Sequence, residues 1–108
     1  MVEPINGVIS PWMPETDTHT LAAIGKLAEE ANELAGRIAR IVIQGLEGID
    51  PDSGKTNREE VEREIADVEA AVVVAKYKLG LTVSDQRRSD KISGFYRWHD
   101  LIDKELEK

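Results

Sequence analysis

Two long stretches of this chain repeat apolar residues at three- and four-residue steps, and none alternates apolar with polar, so helices rather than strands are expected to form the core. The first begins at Thr18 or Thr20 and runs through Leu21, Ile24, Leu27, Ala28, Ala31, Leu34, Ala35, Ile38, Val42 and Leu46; Gly45, Gly48 and then Pro51 predict its end. The second opens at Thr56 or Asn57, each three residues ahead of a glutamate (Glu59, Glu60) as a capping box requires. Its apolar stripe is Val61, Ile65, Val68, Val72, Ala75 and Leu79, and Gly80 is placed to stop it. A third helix is predicted from Ser84 through Tyr96, Trp98, Leu101 and Ile102, with Gly94 a point where it can bend. Residues 1–16 hold Pro4, Pro11 and Pro14 and read as an irregular arm, and residues 47–56 have the composition of a loop.

The expected fold is therefore a single all-α domain, 1–108: an antiparallel long helix pair plus a third helix. Val73 and Val74 lie away from the Val61 stripe, and burial on several faces exceeds what three helices of this size provide, so homo-oligomerisation, as a dimer or tetramer, is expected to complete the bundle.

Composition narrows the function. With 14 Lys and Arg against 21 Asp and Glu, the net charge of −7 opposes contact with nucleic acid, although a free nucleotide can arrive with its own divalent cation. The absence of cysteine leaves only O and N metal ligands and agrees with a reducing compartment. No segment reaches membrane-spanning length, and Met1-Val2-Glu3-Pro4 lacks the order of a signal peptide, so a cytoplasmic protein without a membrane partner is expected.

Several motifs fail on inspection. Ser53-Gly54-Lys55-Thr56 imitates the end of a phosphate-binding P-loop, but Ile49 stands where glycine is required and a helix precedes it. A calcium loop starting at Asp50 would need glycine at Lys55 and glutamate at Val61. The Glu-x-x-His pairs of di-iron bundles are missing, because Thr16 precedes His19 and Tyr96 precedes His99 by three residues.

What holds is a set of carboxylates. Glu30 and Glu33 on the first helix, and Glu64 and Asp67 on the second, are each three apart, a turn of about 300° that keeps each pair on one face. Local ion pairs four residues apart (Lys26 with Glu30, Glu33 with Arg37, Arg63 with Asp67) would make these acids ordinary solvated faces. Against that, Glu64 falls only about 60° from the centre of the second helix's stripe and Glu30 about 40° from Leu34. An inward carboxylate is costly unless paired or metal-bound, and oxygen-only ligands suit Mg²⁺, with Mn²⁺ a substitute.

Glu29-Glu30-x-x-Glu33, a spacer, then Glu64-x-x-Asp67 resembles the signature of the MazG-like all-α NTP pyrophosphohydrolases, over about Leu21 to Leu81. The resemblance implies hydrolysis of a nucleoside triphosphate to monophosphate and pyrophosphate, with Mg²⁺ held by Glu30, Glu33, Glu64 and Asp67. Glu29 matches the remaining motif glutamate, and a carboxylate there can serve as base to the attacking water. Lys76, Lys91 and Arg97 are candidates for the phosphates; some relatives carry a Lys followed by paired Arg in that last region, from which Lys91 to Arg97 departs. Trp12 is either a packing anchor or a surface on which a base stacks. The 47–56 loop is open to a role as lid or dimer contact. The rival expectation is a non-catalytic helical interaction module whose Val72, Val73, Val74 and Tyr77 serve an interface.

Overall fold

The computed structural model describes residues 12–108; the predicted arm before Trp12 lies outside them. Three helices follow in order: α1 (Thr18–Gln44), α2 (Asn57–Leu79) and α3 (Asp85–Leu106). All three starts are made by side-chain oxygens that satisfy amides left free by the first turn. Asp17 accepts from the Thr20 amide at 2.9 Å, Thr56 from Glu59 at 3.1 Å and Ser84 from Arg87 at 3.1 Å. Gly80 ends α2 in the left-handed conformation, with φ 65°. α3 passes through Gly94 without interruption.

α1 and α2 form an antiparallel hairpin whose joint is closely specified. Gly48 is required because a Cβ there would meet the Gln44 carbonyl oxygen at 2.5 Å. Its own carbonyl accepts from the Asn57 amide and that of Leu46 from the Arg58 amide, both at 2.8 Å, so loop carbonyls satisfy the first two donors of α2. Asn57, with no exposed surface, turns its side-chain amide back onto Gly45 O at 3.0 Å and Gln44 Oε1 at 3.3 Å. Replacing Asn57 by Ala is expected to cost about 2 kcal/mol, a fall in melting temperature of roughly 10 °C. Thermal unfolding followed by circular dichroism checks this, and an unchanged midpoint would show that the joint does not depend on that side chain.

The helix faces differ in part from their expected positions. In α1 the half-buried line is Thr20, Ala23, Leu27, Glu30, Leu34, Arg37 and Ile41, a three-four repeat with two charged members, whereas Leu21, Ile24, Ile38 and Val42 are exposed. In α2 the buried positions are Asn57, Glu60, Glu64 and Ala75; Ile65, expected in the core, is 43% exposed. The apolar arc on each helix is wider than one helix-to-helix seam can cover, so part of it faces outward. The seam itself is apolar at its open end and polar toward the loop.

α3 packs against neither α1 nor α2 among the described residues. Ile92, Phe95, Trp98, Leu101 and Leu106 are exposed along it. Accordingly the radius of gyration is 19.4 Å, where a compact chain of this length has about 13 Å.

A candidate carboxylate metal centre

Midway along the hairpin the seam brings acids from both helices together. Glu30, Glu64 and Asp67 each place one carboxylate oxygen within 4.8 Å of the other two, and Glu29, Glu30 and Glu33 do the same along α1. Glu30 belongs to both trios. Glu64 is 7% exposed, and Oε2 of Glu64 and Oε2 of Glu30 are buried without a hydrogen-bond partner. Burial, followed by the charges of Glu33, Asp67 and Glu29, pushes the Glu30 carboxyl above its ordinary pKa.

The three four-apart ion pairs expected from sequence do not form. Lys26 turns to Glu29 at 3.1 Å instead of Glu30. Arg37 leaves Glu33 for Asp50 at 3.1 Å and Glu60 at 3.3 Å, and Arg63 takes Glu60 at 2.6 Å and approaches Glu64 at 3.7 Å in place of Asp67. A long basic side chain on a helix has several acids in reach: the two arginines take the buried Asp50 and Glu60, whereas Lys26 takes the exposed Glu29 and leaves the half-buried Glu30 without it.

The residues of the centre fit a hard divalent cation. The donors are all carboxylate oxygens, two of the buried ones lack any partner, and one oxygen from each member of the inter-helix trio lies within 4.8 Å of the other two, near enough for one ion to be shared. Glu30, Glu64 and Asp67 are the residues that would hold it; Glu33, exposed, groups with Glu29 and Glu30 along α1 and not with the acids of α2.

Two clefts flank the acids. One, of about 590 Å³, is lined by Glu30 and Asp67, by four alanines (Ala22, Ala23, Ala70 and Ala71), and by Lys26, Lys78 and His19. The other, of about 220 Å³, lies between Glu33, Glu64, Arg37 and Arg40. Of the residues assigned to phosphate, Lys76 is half-buried and lines neither cleft, while Lys91 and Arg97 stand on α3, away from the acids of this chain. Lys91 lies 5.7 Å from the centre of the Phe95 ring. Trp12 is 76% exposed and lines neither cleft.

Sequence reasoning missed the network behind the centre. Asp50, 2% exposed, accepts from the Asp52 amide, Ser53 Oγ, Arg37 and Arg40; the Asp52 amide first and Arg37 next hold its carboxyl below the usual pKa. Glu60 is held low chiefly by its hydrogen bond from Arg63. The only sequence signal was Asp50-Pro51-Asp52-Ser53 itself, whose Asp side chain commonly bonds the amide two residues on.

Comparison with protein families, curated proteins and solved structures finds no match to this chain. No helix among the described residues is long and apolar enough to cross a membrane.

Proposed function

We propose that this chain is a Mg²⁺-dependent nucleoside triphosphate pyrophosphohydrolase of the MazG-like kind, acting in the cytoplasm as a homo-oligomer and releasing NMP and pyrophosphate. The observation that carries the reading is the buried, unpartnered Oε2 of Glu64 beside Glu30 and Asp67, in a hairpin whose motif order resembles that family. When bound, Mg²⁺ supplies an acidified water and charge to offset the leaving pyrophosphate. Glu30, Glu64 and Asp67 hold the cation. Glu29, exposed and next to that group, is free to exchange Lys26 for the proton of the attacking water. Lys26 and Lys78 line the larger cleft beside the acids and meet phosphate charge there in preference to Lys76.

Water attack at the α-phosphorus distinguishes this reading from a phosphatase. Hydrolysis in ¹⁸O-water is expected to place the label in the monophosphate, with unlabelled pyrophosphate as co-product. Formation of NDP and inorganic phosphate would reject the pyrophosphohydrolase assignment while leaving the cation site standing. A second reading, a silent helical interaction module, draws support from the exposed apolar residues of all three helices, Val42, Val73, Tyr77 and Trp98 among them. Melting after chelation and again with Mg²⁺ separates the two, since only a real site is stabilised by the ion.

A further inference from the structure

Next to the carboxylate centre stands one guanidinium with two carboxylates in reach. Arg63 Nη2 lies 2.6 Å from Glu60 Oε2 and 3.7 Å from Glu64 Oε1, so the hydrogen bond belongs to Glu60 and Glu64 receives only the residual field. Glu60 is itself buried, and the same oxygen also takes Arg37 Nη2 at 3.3 Å; Arg37 is anchored in turn by Asp50 of the inter-helix loop at 3.1 Å. A chain of alternating charge thus runs from the loop to a residue of the centre. Arg63 is mostly exposed, whereas Glu60 is buried and held by two guanidinium groups.

We propose that Glu60 is a positioning residue for the carboxylate centre: by retaining Arg63 it keeps that guanidinium off Glu64 and leaves the Glu64 carboxylate available to a divalent cation. The inference rests on the reading of that centre as a cation site. A guanidinium released from Glu60 has Glu64 as its nearest remaining anion and forms a bidentate pair with it readily. A cation then has to displace Arg63 before it can use Glu64. The loop acquires a role as well, because Asp50 sets Arg37 and Arg37 helps to fix the oxygen that retains Arg63.

The test is a double-mutant cycle on Mn²⁺ affinity, read by electron paramagnetic resonance of free Mn²⁺ and by Mg²⁺ competition. Glu60→Gln keeps the shape and an acceptor oxygen but loses the charge, and is expected to weaken binding about tenfold, within the usual range of coupling between touching residues. Arg63→Gln is expected to bind about threefold more tightly than wild type, since it deletes the competing charge while Glu60 keeps Arg37 as partner. In the Arg63→Gln background, Glu60→Gln is expected to have no further effect. Equal weakening in both backgrounds, or none in either, overturns the proposal while leaving the cation site in place. Arg63→Gln, a surface change, decides alone if Glu60→Gln does not fold: weaker Mn²⁺ binding in it overturns the proposal. Failure of the wild-type chain to bind Mn²⁺ at all rejects both the site and the inference built on it.

Discussion

Glu64→Gln is expected to abolish the stabilisation of this protein by Mg²⁺ and to lower triphosphate hydrolysis by about 100-fold or more, since loss of a ligand exceeds the 10- to 100-fold typical of groups that only support one. Wild-type protein at Mg²⁺ near 100 times its dissociation constant should gain about 2.7 kcal/mol, seen as a rise in melting temperature of order 10 °C. Glu30→Gln is expected to lose both properties too, and to melt a few degrees higher than wild type once the metal is chelated. The sign follows from the raised pKa of Glu30: folding favours its protonated form, so this group's contribution is intact below the ordinary carboxyl pKa and is lost as pH rises through the higher folded value. The metal-free advantage of Glu30→Gln should therefore be present at pH 7 and fade below about pH 4, where both side chains are neutral. Asp50 and Glu60, held low, carry the opposite sign and lose their contribution as pH falls through the acid range. Near wild-type turnover of both Gln variants at saturating Mg²⁺ would reject the carboxylate site.

Sedimentation velocity at micromolar concentration is expected to show a dimer or tetramer. The physical argument is surface: the chain exposes 8861 Å², against roughly 6,000 Å² for a folded monomer of 12.0 kDa. The excess is of the size that obligate interfaces remove. Among described residues only Ala75 is a fully buried apolar side chain, and α3 presents Ile92, Phe95, Trp98 and Ile102 on one side without a partner in its own chain. A double variant, Phe95→Asp with Trp98→Asp, puts two charges into that face and is expected to shift the species to monomer and lower the melting temperature by at least 10 °C. Wild-type protein that sediments only as monomer would contradict the expectation. A variant that stays assembled would place the contact on the outward residues of α1 and α2 instead.

Helix limits were legible because the chemistry that sets them is local. Asp17, Thr56 and Ser84 bond amides three residues on, and Gly45 and Gly80 adopt backbone conformations that other residues resist. The convergence of Glu30, Glu64 and Asp67 was legible in outline as well, since spacing along each helix fixes which residues share a face. Ion-pair partners were not: Lys26, Arg37 and Arg63 each have competing acids in reach, and the two arginines settle on carboxylates whose burial spacing does not encode.

By itself, then, the sequence determined three helices, their ends, and the meeting of Glu30 with Glu64 and Asp67, because periodicity and capping act within a few residues. The tertiary structure alone decided that Asp50, thirteen residues from Arg37, would anchor it, that Glu60 would be buried while Ile65 stayed exposed, and that α3 would lie apart from the hairpin. These depend on how two helices are rolled against each other about a joint set by Gly48 and Asn57, and a rotation of one position is enough to exchange a buried carboxylate for a buried isoleucine.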